Sequence, residues 1–271
     1  MASVERRRIT RYRDGALDDG PDQVAIEEPL EIEVDGTVVS TTMRTPGQDI
    51  ELALGLLVSE GAITALDDVA EAKECFEQAE GSDDDVRRIV QVTTTTRPAL
   101  APRLHATSSA CGVCGADLID MTARTRQWPL DGDGTAFTLD GILKQPQMLR
   151  DAQRGFDVSG GLHAAALFTP DGELLCLRED VGRHNAVDKV VGWSLLEGRL
   201  PLSGLCLQVS GRASAELVHK AVVAGAPALA AVSAPTTLAV DLARASGLTL
   251  VGFVRDGSLN IYAGGQRLGA D

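Results

Sequence analysis

Leu205-Cys206-Leu207-Gln208-Val209-Ser210-Gly211-Arg212 is a short apolar run that stops on a serine, a glycine and an arginine, and runs of the same kind return twice downstream. Residues 228–232 stop on Ser233-Ala234-Pro235-Thr236-Thr237, and residues 248–254 stop on Arg255-Asp256-Gly257-Ser258. Short apolar runs without polar alternation predict strands covered on both faces. Between them lie helical spacings, Leu217, Val218, Ala221 and Val222 up to Gly225, then a second helix ending at Ser246-Gly247. This βαβαβ order predicts parallel strands with right-handed crossovers, closed by a last strand at 259–262.

Three strand ends then share the carboxyl edge of one sheet. Two of them run into helix N-termini, where free N–H groups and the helix dipole favour anions. Arg212 and Arg255 add donors, so a phosphate-bearing ligand is expected at Ser210, Gly211, Arg212 and Arg255. Helix capping explains Ser214, Thr236 and Thr237 one at a time, but not two arginines and glycines at matching strand ends. Neither Gly-x-Gly-x-x-Gly nor a Walker loop is present, which disfavours an ordinary dinucleotide dehydrogenase or nucleotide hydrolase.

Upstream, Arg178-Glu179-Asp180-Val181-Gly182-Arg183-His184-Asn185 leads into a helix with Val187, Val190, Val191 and Leu195 on one face. His184 and His219 read first as capping or packing residues, and His184, beside Arg183 at a helix start, is the better functional candidate. Residues 162–168 and 173–179 flank Thr169-Pro170-Asp171-Gly172 as a hairpin, after a helix at 140–154. In the first half, 29–44 reads as a hairpin on Asp35-Gly36, 48–60 as a densely apolar helix stopped by Gly61, and 86–96 as a strand. The acidic stretch 66–85 reads as partly loop, and Arg6-Arg7-Arg8 with Arg11 and Arg13 as a solvated arm. The expected class is α/β, with a small α+β domain over 1–133 and an α/β domain over 134–271, divided near Asp131-Gly132-Asp133-Gly134.

The chain has 271 residues and a formal charge of -14, which argues against a general nucleic-acid binder. The start lacks the apolar core of a signal peptide and no stretch is long and apolar enough for a membrane span, so a soluble cytoplasmic protein is expected. Five cysteines are an odd count at scattered spacing, not a disulfide framework. Cys75, Cys176 and Cys206 read as packing or surface residues.

Only Cys111-Gly112-Val113-Cys114 brings two cysteines within reach of each other. Such a loop works as a redox dithiol, half a metal site, or a carrier of sulfur. Glycine after each cysteine leaves the loop approachable, and the proline-bearing stretch 97–103 is not the strand that precedes a thioredoxin-like motif. A zinc site would have to recruit His105, His163 or Cys176, since no second Cys-x-x-Cys exists. The His-x-Glu and Pro-Cys-x-x-Cys of a nucleobase deaminase are missing.

The motifs Ser109-Ala110-Cys111-Gly112-Val113-Cys114-Gly115, Ser159-Gly160-Gly161-Leu162-His163, 178–189, Ser210-Gly211-Arg212 and Gly252-Phe253-Val254-Arg255 stand in one order, and over about 28–262 the chain resembles the FdhD/NarQ family. The resemblance implies a cytidine-deaminase-like three-layer α/β C-terminal domain without zinc chemistry, and a homodimer. It implies a sulfurtransferase that takes sulfane sulfur from a cysteine desulfurase. The acceptor is the molybdenum cofactor, as bis(molybdopterin guanine dinucleotide), a bound substrate on its way to formate dehydrogenase; no permanent cofactor is implied. Cys111 matches the persulfide-carrying cysteine and Cys114 its neighbour. Phe253, Val254, Arg255, Asp256, Gly257 and Ser258 match the segment that holds the nucleotide, with Asp256 where relatives often carry more positive charge. A non-catalytic cofactor chaperone and a dithiol redox protein remain the alternatives.

Overall fold

The computed structural model describes residues 3–78, 86–96, 98, 115–255 and 257–269. The Cys111–Cys114 loop and Asp256 therefore lie outside the described residues. The chain opens with β1 (Val4–Arg13) paired antiparallel to β2 (Ala16–Ala25). The expected solvated arm is thus a β-ribbon. It is exposed, two of its arginines stand opposite acidic partners, Arg7 across from Asp22 and Arg11 across from Asp18, and without an apolar face it carries no strand alternation.

The hairpin on Asp35-Gly36 forms as β3 (Glu28–Val34) and β4 (Thr37–Arg44), and α1 (Asp49–Ser59) follows. Strands β5 (Val69–Gln78) and β6 (Val86–Thr94) complete a four-stranded sheet in the order β4-β3-β6-β5. The acidic stretch 66–85, read as partly loop, forms a strand over 69–78. An edge strand needs no continuous apolar face, so Glu71, Glu74 and Glu77 are tolerated there. Two short helices had no signal in the sequence reading, α2 (Gly115–Thr125) and α4 (Arg154–Ser159), the latter following α3 (Leu139–Ala152).

The second sheet contains β7 (His163–Phe168), β8 (Leu174–Asp180), β9 (Cys206–Val209), β10 (Ala228–Ala231), β11 (Thr249–Arg255) and β12 (Ser258–Ala263), in the order β12-β11-β10-β9-β7-β8. Strands β9, β10 and β11 are parallel, as the βαβαβ order predicts, while β7, β8 and β12 add antiparallel margins. Helix α3 covers one face, with Ile142 against Cys206, Ala230 and Val254, and Leu149 against Ala164 and Phe168. Helices α5 (Arg183–Leu196), α6 (Ala215–Val223) and α7 (Thr237–Ser246) cover the other face through Val187, Leu217 and Leu242. The same core continues through α1 to Ile32 and Val90 of the four-stranded sheet.

That continuity depends on how closely α1 and α5 cross. A Cβ built on Gly55 would stand 1.8 Å from the Asp188 carbonyl oxygen, and one on Gly192 would stand 1.8 Å from that of Glu51. Backbone meets backbone at both points, so neither position holds a side chain unless the helices separate. Gly192→Ala is expected to cost about 3 kcal/mol through overpacking. Gly132→Ala, where the added atom meets nothing within 4 Å, is expected to stay within about 0.5 kcal/mol of wild type. Urea unfolding midpoints measure both, and equal midpoints for the two variants would contradict the close crossing.

Candidate functional site at the sheet edge

Most of the 178–189 motif holds the two halves of the chain together. Arg178 donates from Nε and Nη2 to the two carboxylate oxygens of Glu51, at 2.5 and 2.8 Å. Glu179 accepts the backbone N–H groups of Gly155 and Phe156, both at 2.8 Å, at the start of α4. Asp180 accepts from the N–H of Thr45 at 3.1 Å and of Gly182 at 2.8 Å, and from the Asn185 amide at 3.1 Å. Lys189 Nζ lies 2.7 Å from Asp180 and donates to the Thr45 carbonyl at 2.9 Å. Asp188 accepts from Lys220 at 2.6 and 2.8 Å and from the Ser59 hydroxyl at 2.9 Å. Buried charges persist only when satisfied in this way.

Two charged side chains of that motif have no part in this clamp, Arg183 and His184 at the start of α5. His184 Nε2 stands 2.8 Å from Glu216 and 3.4 Å from the Ser214 hydroxyl. This contact, more than any other influence, holds the Glu216 carboxyl below its usual range, against the opposing effect of burial. Ser214 occupies the N-cap position of α6 but its side chain makes no cap bond, whereas the Thr236 hydroxyl caps α7 by accepting from the Ala239 N–H at 3.3 Å. His219, by contrast, is a packing residue, with its ring nitrogens on Thr122 Oγ1 and the Ser59 carbonyl.

A cavity of about 580 Å³ opens where the parallel strands end, in the size range of small-molecule sites. Ser210, Val232 and Arg255 line it from the ends of β9, β10 and β11, and His163 from the start of β7. Its apolar wall comes from α3 and α4, through Leu143, Pro146, Leu149 and Phe156, with Arg150 stacked 4.7 Å from the Phe156 ring centroid. Sequence reading missed this wall, because residues that close a cavity from a helix carry the same apolar spacing as residues that close a core.

The remaining expected residues separate by what their surroundings allow. The Ser210 hydroxyl accepts the Ala164 N–H at 2.9 Å, which fixes the turn, and a Cβ on Gly211 would lie 3.7 Å from the His163 ring. Arg212 and Arg255 are exposed, with the Arg255 guanidinium 5.6 Å from the Phe253 ring centroid. Phe253 has φ of +51°, a conformation costly for a bulky residue, at a bulge of β11 against β12. Beside it, Gly252 presses on the β10–α7 turn, 3.0 Å from its Cβ position to the Ser233 carbonyl. Val254 is fully buried under α3, so only its backbone faces the edge, and the Ser258 hydroxyl donates to the Arg255 carbonyl at 2.9 Å to close the turn.

Among the described residues, the carboxylates at this edge are already engaged. Asp180 pairs with Lys189, Glu216 with His184, Asp157 with Arg150, and Glu179 with two backbone N–H groups. Arg183, Arg212 and Arg255 make no ion pair with a described residue, so an anion is the ligand charge this edge favours.

A model of the FdhD/NarQ family matches residues 25–269. The sulfur carrier protein FdhD of Streptomyces avermitilis is 50% identical over 271 residues, covering 98% of this chain and 95% of the relative. That of Mycobacterium tuberculosis is 44% identical, covering 98% of this chain and 99% of the relative. The crystal structure of a protein from Desulfotalea psychrophila, described as a formate dehydrogenase accessory protein, superimposes with a TM-score of 0.75 at 22% identity, covering 98% of this chain and 100% of that one, a likeness of fold. Across nearly its whole length, the chain belongs to the FdhD/NarQ family.

Proposed function

We propose that the chain is a sulfur carrier, loaded on Cys111 as a persulfide by a cysteine desulfurase. It passes that sulfur to the molybdenum cofactor, in its bis(molybdopterin guanine dinucleotide) form, before the cofactor enters formate dehydrogenase. The observation that supports it most is the electropositive cavity edge, which suits a substrate bearing pyrophosphates. The FdhD name of relatives near 50% identity supports the carrier role itself. The working unit on this reading is a homodimer in a reducing compartment such as the cytoplasm, with the Cys-x-x-Cys loop closing the first domain and the docking edge in the second.

Chemically, the Cys111 thiolate attacks the outer sulfur of the donor's persulfide, the donor's S–S bond breaks, and the donor cysteine leaves as thiolate. The carried sulfur is at the sulfane level, so delivery as sulfide takes two electrons. Attack of the Cys114 thiolate on the Cys111 sulfur supplies them, releasing hydrosulfide at the metal and leaving a Cys111–Cys114 disulfide for an external thiol to reduce. Burial pushes the thiols of Cys176 and Cys206 up to about 12 each, so neither competes as a thiolate near neutral pH.

Two outcomes are expected. After incubation with a desulfurase and cysteine, intact-mass spectrometry shows one added sulfur on the wild type and none on Cys111→Ala, which also fails to mature formate dehydrogenase. Full maturation by Cys111→Ala would instead support a cofactor chaperone without sulfur chemistry. At the docking edge, Arg255→Ala weakens guanosine diphosphate binding about tenfold by calorimetry, with an unchanged thermal midpoint. Unaltered affinity would remove Arg255 from the site.

A further inference from the structure

His163 lines the cavity, with its ring 3.7 Å from where a Cβ on Gly211, at the end of β9, would lie, and the proposed function gives it no task. It is half-buried. The charged groups around it come from every element that packs there. Arg183 and His184 face it from the start of α5, and Arg150 and Arg255 share the cavity from α3 and β11. The described acidic groups nearby are in use. Asp180, its partner across the β7–β8 pair, lies 2.7 Å from Lys189, Glu216 is held by His184, Asp157 by Arg150, and Glu179 by the N–H groups of Gly155 and Phe156.

We propose that His163 is a ligand-binding residue of this cavity whose protonation is coupled to docking of an anionic, pyrophosphate-bearing substrate, so that one proton is taken up as the substrate arrives. The inference rests on the docking edge described above and adds its regulation by pH.

The sign follows from the surroundings. In the empty cavity, burial first and then the positive neighbours Arg183 and His184 push the His163 imidazole below its ordinary 6.5, with Asp180 opposing only weakly, so the ring is neutral at neutral pH. A docked pyrophosphate offsets the positive neighbours and accepts a hydrogen bond from the imidazolium, raising the bound-state pKa above the free one. Affinity is therefore lowest above the bound-state pKa, rises as pH falls through it, and levels off below the free pKa.

The probe is diguanosine diphosphate, two guanosines joined through a pyrophosphate, whose two acidic groups stay ionised across the range and so contribute no pH dependence of their own. Calorimetry of the wild type near pH 6 in two buffers of different ionisation enthalpy is expected to show net proton uptake on binding, and affinity about tenfold tighter near pH 5.5 than near pH 7.5. His163→Gln is expected to bind with little pH dependence and no uptake. Binding without proton uptake in the wild type, or uptake that survives in His163→Gln, overturns the coupling and leaves the docking edge standing. Failure of the wild type to bind at any pH removes the docking edge, and the coupling with it. The wild-type measurement decides the matter even if a variant does not fold.

Discussion

The ion pair of Asp180 and Lys189, both side chains fully buried, is the constraint on which the arrangement of this molecule depends. An unpaired charge in that position would cost several kcal/mol, so the surroundings are built to satisfy it. The backbone of Thr45, just after the first hairpin, supplies both an N–H to Asp180 and a carbonyl to Lys189. Gly182 and Asn185 complete the acceptor's shell and thereby set where α5 begins. Arg183 and His184 sit between those anchors, so their placement at the cavity edge follows from a charge pair formed for structural reasons. The glycine crossing of Gly55 and Gly192 does the complementary work, bringing α1 close enough for Thr45 and Glu51 to reach their partners.

The parallel core was legible because three fully buried strands can only be apolar runs, and runs that end on Ser-Gly-Arg, Ser-Ala-Pro and Arg-Asp-Gly mark their own carboxyl ends. The first hairpin was legible because Asp35-Gly36 adopts the positive φ values that its turn demands. What escaped was structure without a core-facing signal. The β1–β2 ribbon is held by charge pairing across strands, and β5 is an edge strand rich in glutamate, so both look like solvated chain in one dimension.

The candidate site divides along the same line. Arg255 and Ser210 were readable from strand-end position, and both line the cavity. The 178–189 motif also stood out, yet reading it could not separate the residues that clamp the halves from the two at the edge. That separation is made by partners remote in sequence, Glu51, Thr45, Ser59 and Lys220, which only the fold brings together. His163 drew notice as a metal-ligand candidate and as the end of a family motif, but its setting was not legible, because the arginine and the histidine near it arrive from α5. Val254 shows the converse, a residue within a segment expected to hold the ligand whose side chain belongs to the core.

On the proposed reading, thiol chemistry and ligand docking have different physical requirements, one an accessible thiolate and the other a rigid edge that favours anions, and they fall to different stretches of the chain. The most direct test of their connection is a single-turnover transfer with a radiolabelled sulfane sulfur loaded on purified protein. The account predicts that label leaves the protein and appears in added molybdenum cofactor without added donor. Label that stays on the protein in the presence of bound cofactor, or that leaves equally fast without it, would contradict the account.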